Sequence, residues 1–357
     1  MVTLYFDRMR ETSNEVAPVV DLYLNNFRNS KGNFYDLISQ IPKSFMRQGS
    51  NIRTYLLRTA YESLTDKNWK WIAPVGASIE FLLASMYYSN WIHDEKGGIR
   101  SKGEDKDILT AAIIMRELSQ EVLVDGLKDK IPLEKLINLF SLFNETNKIF
   151  QEGQFVDIKV NNYKNWNNLV SEEDQMNLFL ERTYKINAAF IERIAKVGGL
   201  LAEGSEQQLN ALGKFGEYFG MAHQIMNDVA DFVPPRFGIS TTTKLPEDSY
   251  ADVKDGHLTL PIIYTLYHDI NEDRVKKIVN VLEGGKQNSL NDLEEATSLL
   301  IENGAIKYTI NYARHFKKMA KETIKKFPKD KRMPLDWLLI SIDSNKYYTS
   351  LRNLEAN

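Results

Sequence analysis

Apolar residues recur at helical spacing along almost the whole of this chain, and no run of alternating β-branched residues interrupts them. A chain patterned this way satisfies its backbone within helices and buries their apolar stripes by stacking one helix on another. The spacing predicts helices over residues 2–25, 33–44, 51–64, 69–95, 105–128, 132–152, 172–203, 206–233, 256–268, 271–284, 289–326 and 333–343. Ser205 and Asn288 stand where N-caps are expected. Segments 97–104 and 234–255 are rich in Gly, Pro, Ser, Thr and charge, and read as loops that each follow a long apolar helix. Loops at the ends of two central helices can close one shared site. The expected fold is all-α, with residues 1–357 as a single domain.

At 357 residues the chain is long enough to bury a large core. A net charge of −3 gives no general attraction to nucleic acid. The absence of cysteine excludes disulfides, thiolate metal ligands and cysteine nucleophiles together. The opening MVTLYFDRMRETSNE has no apolar signal core, and the apolar stretch from Ile79 to Ile92 is too short to span a bilayer. A soluble, cytoplasmic protein without a transmembrane segment is the expectation. The basic run from Arg314 to Arg332 holds nine Lys/Arg against two acids and reads first as the solvated face of a helix.

The strongest local signal is HQIMNDVADF, residues 223–232. On a helix Asn227 and Asp231 share a face, with Asp228 beside them. Oxygen ligands gathered at a helix end suit Mg²⁺, which takes few protein carboxylates and completes its shell with water and substrate phosphate. Downstream stands DVKDGHLTLPIIYTL (252–266); upstream stand GQFVDI (153–158), KINAAF (185–190) and GASIEFLLASMYYSNWIHDE (76–95).

That order and spacing resemble the trans-isoprenyl diphosphate synthases from about Gln48 to the C-terminus. The resemblance implies a helical barrel of the isoprenoid-synthase type around a central cavity. Two Asp-Asp-x-x-Asp motifs would face each other there and hold Mg²⁺ against the diphosphate of an allylic substrate. The carbocation left by diphosphate departure would be attacked by isopentenyl diphosphate. The second motif maps onto Asn227, Asp228 and Asp231, with Gln224 at the Gln that precedes it. Lys244 falls on a loop lysine that reaches the diphosphate, and His257 replaces the Lys of the family's GKxTLP.

For the first motif two alignments compete. One pairs Asp94 and Glu95 with the double Asp and leaves Gly98 at the third position. The other needs no gap, runs from Asn90 to Asp94, and brings Arg100 onto a diphosphate-binding arginine; it is preferred. The isopentenyl diphosphate site retains Arg53, while Ser50 and Asn51 replace a Lys and an Arg, and Leu83 stands for a His. The family's Lys-Thr pair beside the cation becomes Lys185-Ile186. Three motif carboxylates remain, Asp94, Asp228 and Asp231, so fewer or weaker metal ions are expected, anchored chiefly by Asp228 and Asp231. Met86, Tyr87, Tyr88 and Trp91 can line a cavity, although helical spacing makes core packing the first reading of each.

Three functions compete on this resemblance. One is a prenyltransferase, using isopentenyl diphosphate or a changed acceptor. Another is a weak or inactive subunit that pairs with an active synthase. A third is a terpene-cyclase-like lyase, although Pro235 stands where its Asn-Ser-Glu motif would need Glu. A homodimer, or a heterodimer with a related synthase, is implied in each case.

Overall fold

The computed structural model describes residues 2–48, 51–93, 104–165, 171–232 and 250–343. In chain order its helices are α1 (Val2–Leu24), α2 (Phe34–Gln48), α3 (Ile52–Glu62), α4 (Ala73–His93) and α5 (Asp105–Leu127). Then come α6 (Leu133–Lys159), α7 (Glu172–Thr183), α8 (Ala189–Leu201), α9 (Glu206–Phe232) and α10 (Ala251–Lys254). The remainder are α11 (Leu260–His268), α12 (Glu272–Gly284), α13 (Leu290–Glu302), α14 (Ala305–Thr323) and α15 (Lys329–Asp343). Among the described residues there is no strand, only an isolated antiparallel bridge between Asn162 and His257. None of the described helices is long and apolar enough to cross a membrane.

The described residues fall into two compact units. The first takes those of Met1–Phe150, Ala189–Glu217 and Ala320–Leu339; the second takes those of Gln151–Ala188, Tyr218–Met319 and Ile340–Asn357.

In the first unit α4 is a core helix. Every residue from Phe81 to Met86 is buried, which a helix tolerates only when neighbours cover its whole circumference. Val16, Ala77, Phe81, Ala84, Tyr88, Met115 and Val122 belong to one buried cluster with it. Full burial of the larger aliphatic and aromatic side chains among them, such as Phe81 and Met115, contributes roughly 1.5–3 kcal/mol each. Met86 and Tyr88 are therefore packing residues, and Trp91 meets Tyr88 edge-on at 5.3 Å. Helices α3 and α8 approach so closely at Gly198 that a Cβ there would stand 2.6 Å from the Leu57 carbonyl oxygen.

The helix boundaries follow local chemistry. Ser205 caps α9 as expected, its hydroxyl accepting from the Gln208 amide. The expected cap at Asn288 is displaced by one residue. Ser289 forms a capping box with Asp292, while the Asn288 side chain donates to the carbonyls of Val281 and Gly285. The pattern over 289–326 breaks into α13 and α14 at Gly304, whose φ of +83° suits glycine. The helix expected over 172–203 is interrupted by a π turn, Tyr184–Ala188. The expected loop 234–255 contains the short helix α10, and the helix expected to begin at 256 starts at Leu260 behind Thr259.

Candidate functional site

In the second unit Gly153 lets α6 press against the π turn: a Cβ there would lie 2.7 Å from that of Lys185. The single wide turn it meets is a form that recurs at functional positions. The Lys185 ammonium donates to Glu152 at 2.6 Å and to Glu181 at 2.5 Å, which raises its pKa above the ordinary lysine value. Its side chain is 16% exposed. The neighbouring Asn187 fixes the turn by donating to the Gly220 carbonyl at 2.9 Å.

One helical turn before Lys185, the guanidinium of Arg182 points inward. Its Nε lies 2.7 Å and its Nη2 3.2 Å from the two oxygens of Asp157, and Nη1 lies 3.2 Å from Asp228 Oδ2. The other Asp228 oxygen accepts from Gln224 Nε2 at 2.9 Å. His257 stands close by, with Nδ1 4.0 Å from Asp157 and 3.8 Å from Asp252. The segment that carries it is pinned to the end of α6, where Tyr163 donates its amide to the Gly256 carbonyl at 2.8 Å.

These groups are all but removed from water, so their charges depend on one another. Burial pushes the Asp228 carboxyl up to about 7, against the pull of Arg182. Burial also works to raise Asp157, but Arg182 and His257 outweigh it and hold that carboxyl below its ordinary range. Burial disfavours the His257 imidazolium, yet Asp157 and Asp252 raise it to about 9. One guanidinium thus serves two carboxylates, and the imidazolium supplies the second positive charge.

Asp231 is engaged differently. Its oxygens accept the amides of Ala251 at 3.2 Å and Asp252 at 3.0 Å, the first residues of α10. A carboxylate at a helix N-terminus satisfies amides that have no partner within the helix. Asn227 is the motif residue that remains exposed, with its amide nitrogen 3.4 Å from His223 Nδ1.

Mg²⁺, the ion implied by the resemblance, demands near-ideal octahedral geometry and keeps much of its water. Each oxygen of Asp228 and Asp231 already accepts from the protein, and the side chains are 1% and 0% exposed. Among the described residues no group of three His, Cys, Asp or Glu is placed to hold a metal. The described part of the second motif therefore does not fit the ion. The expected pair of open carboxylates meets an arrangement in which both face into the protein.

In the first unit the Arg53 guanidinium lies over the Phe190 ring at 5.8 Å. Next to it in sequence, the Thr54 hydroxyl donates to Glu80. Glu80 is fully buried, and burial raises its carboxyl to about 7 despite Thr54 and Arg53. Asn51 is buried at the start of α3, and neither polar atom of its amide finds a hydrogen-bond partner among the described residues. Asn90 is half-buried on α4. Ser50, Asp94, Arg100 and Lys244 lie outside the described residues. The expectation of one cavity closed by the loops after α4 and α9 rests on segments that lie there too.

Of the candidates read from the sequence, Gln224, Asp228 and His257 join one cluster in the second unit, with Asp231 a turn further along α9. Sequence reasoning missed Arg182 and assigned no role to Asp157 or Asp252. The available signal was Arg182 standing three residues before Lys185, hence on the same side of the helix.

The chain is similar to known proteins in sequence and in fold. The profile of the family described as Polyprenyl synthetase matches residues 36–300. A short chain isoprenyl diphosphate synthase of Methanocaldococcus jannaschii is 26% identical over 273 residues, 74% of this chain and 75% of that protein. A geranylgeranyl diphosphate synthase of Sulfolobus acidocaldarius is 24% identical over 217 residues, and the match spans 60% of the length of each. The crystal structure of geranylgeranyl pyrophosphate synthetase from Pyrococcus horikoshii has the same fold, with a TM-score of 0.77 at 22% identity over 96% of this chain and 98% of that one. With its helices, its motif order and a profile match over most of its length, the chain belongs to the polyprenyl synthetase family.

Proposed function

We propose that the chain is a prenyltransferase of the trans-isoprenyl diphosphate synthase type. It would take an allylic prenyl diphosphate and join its prenyl group to isopentenyl diphosphate or to a changed acceptor. Family membership over residues 36–300 carries this reading, supported by the partly exposed side chain of Lys185 at the family's Lys-Thr position. In this reading Lys185, Arg53, Arg100 and Lys244 bring positive charge to the diphosphates, since charge-assisted contacts to phosphate are the strong ones. Ser50 and Asn51 supply neutral contacts where the family has cations. His257 and Gln224 hold Asp157 and Asp228 in place. Of the first motif, Asn90 and Asp94 remain as ligands for an ion. The chain would work in the cytoplasm as a homodimer or beside a related synthase.

A second reading, a weak or inactive partner of an active synthase, is favoured by the ion pair between Arg182 and Asp228. One experiment separates the two. Purified protein is incubated with each allylic diphosphate, with and without isopentenyl diphosphate and Mg²⁺, and products are analysed after phosphatase treatment. A longer prenyl alcohol supports the transferase. No product from any substrate, together with co-purification of an active synthase, sinks it in favour of the partner.

A further inference from the structure

The second acidic motif of a metal-dependent site has to present carboxylate oxygens to an ion that arrives with water. Here the positive charge is already in place. Arg182 spends all three of its nitrogens on carboxylates: Nε and Nη2 on Asp157, Nη1 on Asp228. The side chains of Arg182, Asp157 and Asp228 are 3%, 9% and 1% exposed, so the pairing is not a surface encounter that solvent can exchange. Gln224 occupies the remaining Asp228 oxygen, and the start of α10 occupies both oxygens of Asp231. A divalent cation brought to Asp228 would meet a fixed guanidinium that Asp157 prevents from turning away. The motif's first position, which faces solvent, is a neutral amide, Asn227.

We infer that Arg182 is a resident cation at the second acidic motif: by bridging Asp157 and Asp228 it closes the motif as an internal ion cluster, and divalent cations do not bind there. The cluster ties together Asp157 of α6, Arg182 of α7, Asp228 of α9 and the segment from Asp252 to His257, residues that all belong to the second unit. Its role is to hold those segments in register. This inference does not rest on the transferase reading, because it concerns which cation sits at Asp228 and not whether product is made.

The test measures Mn²⁺ binding to the full chain by the electron paramagnetic resonance signal of the free ion. Wild type, Asp228→Asn and Asn227→Asp are compared, each checked for folding by circular dichroism. If the motif is closed, Asp228→Asn binds Mn²⁺ within about twofold of wild type, or neither binds. Asn227→Asp changes an exposed position and keeps the test decisive if Asp228→Asn does not fold. Its new carboxylate finds no free partner, so its affinity also stays within about twofold of wild type. A loss of about tenfold in folded Asp228→Asn, or a gain of about tenfold in Asn227→Asp, overturns the inference by showing that Asp228 or Asp231 lends oxygens to the ion.

Discussion

Arg182 and Asp228 stand 46 residues apart in sequence and meet at 3.2 Å in the interior of the second unit, with Asp157 on another edge of the same guanidinium. Removing one member of such a pair leaves an uncompensated buried charge, whereas removing charge from both sides does not. Arg182→Met is therefore expected to destabilise the protein by about 3–5 kcal/mol in urea unfolding. Adding Asp228→Asn and Asp157→Asn to it should recover part of that loss. An Arg182→Met protein as stable as wild type would show that the cluster does not hold the fold.

The pH dependence of stability carries a signature of His257. Its folded pKa is raised from 6.5 to about 9. A raised value means that the folded state holds the proton more tightly. The stability this contributes is complete below 6.5 and is lost as pH rises through about 9. Denaturation midpoints measured from pH 6 to 10 should fall across that window, and His257→Gln should flatten the fall. A midpoint that rises with pH there would contradict the assigned environment.

Glu80 adds a second, lower window. Burial raises its carboxyl from 4.5 to about 7, so its contribution is complete below 4.5 and is lost as pH rises through about 7. Glu80→Gln keeps an acceptor for the Thr54 hydroxyl and has no charge to bury. The variant is expected to be less stable than wild type at pH 5 relative to their difference at pH 8, with the gap closing or reversing at the higher pH. Parallel stability curves for the two proteins would refute this.

Lys185 separates folding from ligand recognition. Its partners Glu152 and Glu181 are exposed, and ion pairs of that kind contribute about 0–1 kcal/mol. Lys185→Met should unfold within about 1 kcal/mol of wild type. If the ammonium meets a diphosphate, losing that contact costs about 1.5–3 kcal/mol, or roughly tenfold to a hundredfold in affinity for a non-hydrolysable prenyl diphosphate analogue. Unchanged affinity by calorimetry would remove Lys185 from the proposed site.

The chain's order of helices was legible in its sequence because helical periodicity is local. The apolar positions that put α4 at the centre of a core and the turn chemistry at Ser205 need only a few neighbouring residues to be read. The family was legible for a related reason: its motifs are short strings that survive in order. Even a one-residue question such as the cap of α13 escaped that reading, because Asn288 was drawn to the carbonyls of Val281 and Gly285 and left the cap to Ser289. The site was decided at longer range. Positions 227, 228 and 231 fix which face of α9 each side chain leaves from, but not what it meets there. Arg182 lies 25 residues from Asp157 and 46 from Asp228, and only packing of the second unit brings them together in a medium poor enough in water for the pairing to hold. The sequence therefore determined that carboxylates stand at the motif, and the tertiary structure decided that Asp228 meets a guanidinium and Asp231 the amides of α10, because the strength of a charge interaction depends on burial that no local pattern records.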